Sequence, residues 1–126
     1  MNRLQALAVG VIACAAGIAG VAAEEAFKKL SGAQIRTQFT GMQLTDGAHW
    51  GESYQPGGRL VTEEDRQQKA TGTWQVKNDR LCTDFGKDMG RRCYEVWMSG
   101  RKVELRAPGS SEASVAGVLE RAEKRR

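Results

Sequence analysis

A chain of 126 residues has room for one domain with a modest core. Its formal net charge of +4 is built from mixed signs, part of the excess lying in the terminal Lys124-Arg125-Arg126, and no basic stripe interleaved with aromatics runs along it. Nucleic-acid binding is therefore not expected, and the one histidine lies too far in sequence from the cysteines to suggest a four-ligand metal site.

Arg3, the uncharged run Ala6–Ala23, small residues at Val21-Ala22-Ala23 and the polar Glu24-Glu25 together make the pattern of an export signal over residues 1–23. Ala and Gly fill most of that run and contribute little insertion energy, which favours cleavage over retention as an anchor. Val11-Ile12-Ala13-Cys14 loosely resembles a lipoprotein box, although Ala15–Ala23 beyond it stays apolar. Membrane attachment is thus expected only if the signal is retained or Cys14 is lipidated. Removal of 1–23 leaves Cys82 and Cys93 as the only cysteines. An even count in a short exported chain predicts a disulfide, and with it a periplasmic or secreted location.

The exported chain divides into a β domain at 24–110 and a closing segment with a basic tail at 111–126. Ser31 and Gln34 have the spacing of a capping box, and Gly41 closes the segment, so a short helix is expected over Gly32–Phe39, continued from an earlier turn at Glu25–Leu30. Ile35 and Phe39 form its docking face. Beyond Gly41, turn residues at Asp46-Gly47, Pro56-Gly57-Gly58, Asn78-Asp79 and Ser99-Gly100 separate short alternating runs. Strands are expected at 42–45, 49–54, 59–63, 72–77, 80–84, 92–98 and 101–106. Residues 111–123 fit either a helix or a closing strand at 113–119; the open edge of a meander, which needs cover, favours the strand.

Register gives the sharpest expectation. A two-residue loop at Asn78-Asp79, a facing Cys82–Cys93 pair and a tight turn at Ser99-Gly100 set Val76 opposite Leu81, Leu81 opposite Tyr94, and Val96 opposite Val103. All three place Trp74, Val76, Leu81, Thr83, Tyr94, Val96, Met98, Val103 and Leu105 on one face, which a one-residue slip would scatter. Cys82, Cys93, Arg80, Glu95, Trp97, Lys102 and Glu104 share the other, with Glu95 facing Arg80 and Glu104. The fold expected is all-β: an antiparallel meander of about seven or eight short strands, as a small barrel or strongly curved sheet, with a short N-terminal helix.

Chemistry is sparse. A disulfide across so short a hairpin is worth about 2–3 kcal/mol, and the cysteines lack the Cys-x-x-Cys spacing of a redox pair. His49 has no paired base or acid in sequence, Glu63-Glu64-Asp65 reads as a solvated turn, and no nucleophile elbow, phosphate loop or dinucleotide fingerprint occurs. No catalytic residue, cofactor or metal is expected, and the protein reads as a non-enzyme. The candidate binding surface is aromatic: Trp50, Tyr54 and Trp97, the last beside Lys102 in cation–π reach.

Gly72-Thr73-Trp74-Gln75-Val76, Leu81-Cys82, Cys93-Tyr94-Glu95-Val96 and Gly100, preceded by Ser31-Gly32-Ala33, Gly41 and Asp46-Gly47, resemble a group of small exported proteobacterial domains of unknown function. That resemblance implies a periplasmic β domain and carries no active site. The Gly-x-Trp element and single disulfide are also similar to bacterial calycin-type inhibitors of secreted metalloproteases, which are eight-stranded barrels. This second likeness implies that Glu24–Lys29 would enter a protease cleft. The expected function is a non-enzymatic interaction domain for an envelope protein or small ligand, through an aromatic surface or a barrel mouth, with protease inhibition as the alternative.

Overall fold

A computed structural model of the protein describes Gly10 and residues 26–122. Apart from Gly10, the expected signal, with Cys14, and the basic tail 124–126 lie outside these residues. Among the described residues there are nine strands and one helix. In chain order they are β1 (Lys28–Lys29), α1 (Gly32–Phe39), β2 (Met42–Thr45), β3 (Trp50–Tyr54), β4 (Arg59–Glu64), β5 (Gln67–Lys77), β6 (Arg80–Asp84), β7 (Arg91–Ser99), β8 (Lys102–Arg106) and β9 (Ala113–Arg121). β2 to β9 pair antiparallel with their sequence neighbours, and β9 returns to pair with β2, so the meander closes on itself as an eight-stranded up-and-down barrel. β1 adds to β7 beyond the point where β6 stops, with Lys28 opposite Met98 and Lys29 opposite Trp97.

Closure settles the ambiguity at the C-terminus. β9 is hydrogen-bonded on both sides, to β8 and β2, so the open edge that argued for a closing strand is filled. Gly117, which weakens a helix, has a packing reason here: a Cβ at that position would sit 2.8 Å from the Thr45 carbonyl oxygen and 3.2 Å from the Trp50 ring. Residues 28–29, by contrast, are extended; the turn expected to lead into the helix is strand β1 instead.

The capping box forms as the spacing predicts. Ser31 Oγ accepts from the Gln34 N–H at 3.3 Å, while Gln34 Oε1 accepts from the Ser31 N–H at 2.8 Å. So short a helix cannot stand alone. It lies across one pole of the barrel with Ile35 and Phe39 completely buried, and its first N–H, on Gly32, donates to Asp79 Oδ1 at 2.6 Å in the β5–β6 turn. That turn has Asn78 and Asp79 at φ 53° and 56°, the left-handed pair a two-residue hairpin loop demands.

The registers through β5, β6 and β7 are those expected: Trp74 faces Thr83, Val76 faces Leu81, Leu81 faces Tyr94 and Cys82 faces Cys93. Between β7 and β8 the pairing is offset by two residues. Ser99 faces Lys102, so Val96 meets Leu105 and Met98 meets Val103, because Gly100-Arg101 rather than Ser99-Gly100 makes the turn. Sliding a two-residue loop by one position preserves which side each residue faces, and the expected interior set survives intact. Glu95 consequently faces Arg106 rather than Glu104, and the like-charge contact disappears.

On the outer wall the Cys82–Cys93 disulfide joins β6 to β7, with Cα atoms 4.0 Å apart. Inside, the helix-capped pole is filled by aromatics. Tyr54 stands edge-on to Phe39 (5.0 Å between centroids) and to Trp74 (5.6 Å), and the Trp74 indole N–H donates to the Gln55 carbonyl at 2.9 Å. Leu44, Leu60, Leu81, Val96, Val103 and Leu119 complete this core.

Candidate functional site

Alternation along β3 decides what the other pole contains. Tyr54 points into the core, so Glu52 and Trp50 point inward too, one and two pleats nearer the opposite end. Glu52 faces Leu44 on one side and Thr62 on the other, both interior neighbours. An acid therefore stands inside the barrel directly above the aromatic plug. The Tyr54 hydroxyl donates to Glu52 Oε2 at 2.6 Å. Burial pushes the Glu52 carboxyl above its ordinary range, and the Tyr54 hydrogen bond offsets only part of that. The Tyr54 phenol is pushed well up, first by its own burial and then by the facing carboxylate.

Above Glu52 the interior opens into a cavity of about 280 Å³. Leu105, Val115, Phe85 and Met89 form its apolar walls; Thr83 and Tyr94 add polar groups, and Arg92 stands at the rim. Among the described residues no side-chain nitrogen or oxygen is buried without a partner, and no hydrogen bond reaches Glu52 Oε1. That second carboxylate oxygen therefore keeps access to the cavity. Gly72 on β5 lets the chain after β6 close over the sheet: a Cβ there would run into the Asp84 carbonyl and the Phe85 ring. The loop between β6 and β7 supplies Phe85 and Met89, the latter 62% exposed beside the opening.

The four residues expected to form an aromatic surface do not come together. Tyr54 is completely buried in the core, because the pleat that puts Trp74 and Leu60 inside puts it inside as well. Trp50 is half-buried at the mouth end. Trp97 lies on the outer wall opposite Glu104, where the Arg106 guanidinium covers its ring at 4.3 Å and its indole N–H donates to Glu95 Oε2 at 3.3 Å. The cation beside Trp97 is thus Arg106, itself held at 2.6 Å by Glu104, and not Lys102, which the shifted register moves to the helix-capped pole opposite Ser99. Glu95 is the hub of this outer network. The Gly109 N–H, above all, then the Trp97 indole and Lys29 hold its carboxyl below the ordinary range.

His49 belongs to a turn. Asp46 Oδ1 accepts from the backbone N–H groups of Ala48, His49 and Trp50, and its Oδ2 shares a 3.0 Å hydrogen bond with His49 Nδ1. Those donors, the Ala48 and His49 N–H groups foremost, keep the Asp46 carboxyl far down. A shallow groove of about 650 Å³ passes His49 along Gln43, Gly51 and Ser53, but it runs over the outward face of the sheet and holds no convergent set of reactive groups. No group of three or more His, Cys, Asp or Glu residues converges to hold a metal among the described residues. Nor, among them, is any helix long and apolar enough to cross a membrane.

Comparison with protein-family models, with curated proteins and with solved structures gives no match.

Proposed function

We propose that this protein is an exported, non-enzymatic binding domain whose ligand enters the open pole of the barrel. One observation carries the reading: the interior is sealed at one end by α1 and three aromatics, yet opens at the other into an apolar-walled cavity with a single carboxyl on its floor. Binding sites are typically concave and mostly apolar, with a few placed polar groups, and barrel mouths are a common location. The disulfide supports an oxidising compartment, in keeping with the export signal read from the sequence. The resemblance to small exported proteobacterial β domains points the same way.

NMR titration of the isotope-labelled protein with the small-molecule fraction of an envelope extract tests the reading. Amide shifts confined to mouth residues such as Thr83, Tyr94 and Val115, and abolished by Val115→Phe, are the expected result. Shifts that leave the mouth untouched, or that survive its filling, would remove it.

The closed eight-stranded barrel with one disulfide also favours inhibition of a secreted metalloprotease as a second reading. Lys28 and Lys29, within the segment that would enter the cleft, are paired to β7, so insertion would require that pairing to open. Absence of inhibition across a panel of secreted metalloproteases would dispose of it.

A further inference from the structure

We propose that the mouth selects small amphiphiles carrying a protonated amine, with the ammonium on Glu52 Oε1 and a short apolar body against Leu105, Val115, Phe85 and Met89. This rests on the mouth being the binding site and adds the chemical class of the ligand. Three observations lead to it. First, Glu52 already accepts from Tyr54 through Oε2, and its remaining oxygen opens to the cavity, where it can accept a ligand N–H and, when ionised, pair with a cation. Second, the carboxylate stands in apolar surroundings that disfavour its charge, so a ligand bringing a compensating cation gains more there than at the surface. Third, the other titratable groups lining this space are Tyr94, which brings no cation, and Arg92, which pairs with Thr83 and is the exposed one, so Glu52 is the charge that meets the buried end of a ligand. An anionic ligand would be drawn by Arg92 at the rim but repelled by Glu52 once inside.

Size follows from the same geometry. The floor is fixed by Tyr54 and Trp74, both in the packed core, so the ligand cannot run down the barrel axis. A cavity of about 280 Å³ holds on the order of ten heavy atoms at the ~30 Å³ that one liquid water occupies. That suits a short alkyl or aryl amine and excludes a long acyl chain.

Three six-carbon amphiphiles, hexylammonium, hexanol and hexanoate, are titrated at neutral pH into the full exported chain, with mouth amides followed by NMR. Hexylammonium is expected to bind at least about tenfold more tightly than either of the others, the gain of one charge-assisted hydrogen bond over a neutral one. Glu52→Gln, which can still accept from Tyr54, is expected to bring its affinity down to that of hexanol. The comparison among ligands needs no variant, so a folding defect in Glu52→Gln would not protect the idea. Equal or better binding of hexanol or hexanoate, or no mouth shifts with hexylammonium, overturns the amine selection. The extract titration judges the binding role separately: mouth shifts there, with no amine preference here, would leave a binding domain for another ligand class.

Discussion

The two poles of this barrel are built from the same strands with the same alternation, yet one is a solid and the other a cup. At the α1 pole Phe39, Tyr54 and Trp74 meet edge to face and leave no space, with Ile35 laid over them from the helix. At the opposite pole the inward positions are held by Glu52, Thr83, Tyr94, Leu105 and Val115, and the residues do not fill the volume the strands enclose. Close packing and open volume are thus separated along one axis: the plug supplies cohesion, and the acid at the mouth meets it only through the Tyr54 hydroxyl.

The sharpest way to break that division is to truncate each pole. Phe39→Ala should cost about 3–5 kcal/mol in urea unfolding, as removal of a fully buried aromatic does. Val115→Ala, at the rim of space that is already open, should cost about 1 kcal/mol or less. Equal losses would mean that the mouth is as much a structural core as the plug. Next in size, replacing both Cys82 and Cys93 by serine should lower stability by about 2–3 kcal/mol. Because the staple lies on the outer wall, mouth amide shifts should change little; a collapsed mouth spectrum would show that the disulfide shapes the site.

Smaller effects concern pH. The folded carboxyl of Glu52 is raised, so it favours the folded state while protonated, below its unfolded value near 4.3, and that contribution is lost as pH rises through the higher folded value. Glu52→Gln should therefore flatten the stability profile on the near-neutral side and leave the melting temperature at pH 7 unchanged or higher. A lower melting temperature there would place Glu52 among the structural groups. Asp46 runs the other way. Its folded carboxyl is depressed, so its contribution is present above about pH 3.9 and fades as pH falls below that. Asp46→Asn should remove only this acid-limb dependence and give the smallest change of all; an unaltered acid limb would show that the β2–β3 turn holds without the charge.

The sequence carried most of the scaffold in readable form. Ser31 and Gln34 announce the helix, Asn78-Asp79 a tight hairpin, and the alternation from Trp74 to Leu105 the interior face, since each is a local signal with a local cause. Where two neighbouring residues could equally make a turn, as at Ser99, Gly100 and Arg101, the register was fixed only to within two residues. The first part of β5, Gln67–Lys69, is polar throughout and gives no period to read. Lys28–Lys29 is a strand only because β6 stops short and leaves the β7 edge free. The mouth was harder. Trp50 and Tyr54 draw the eye as aromatics in an exposed-looking run, and the intervening Glu52 reads as a solvent-facing charge. Only closure of the barrel shows that all three share the inner face, which makes the acid the informative residue and removes Tyr54 from the surface. A signal was available: if Tyr54 belongs with Trp74 inside, the residue two before it must point inside as well.

The ends of the described chain leave from one side. Lys28 lies beside Met98 near the β7–β8 turn, and Arg121 sits opposite Met42, so both termini depart at the pole that α1 covers. Any tether upstream, whether lipid or leader, would hang the cup with its opening turned away from the attachment point, and a protein fixed to a sensor chip by either terminus would likewise present its mouth to the solution.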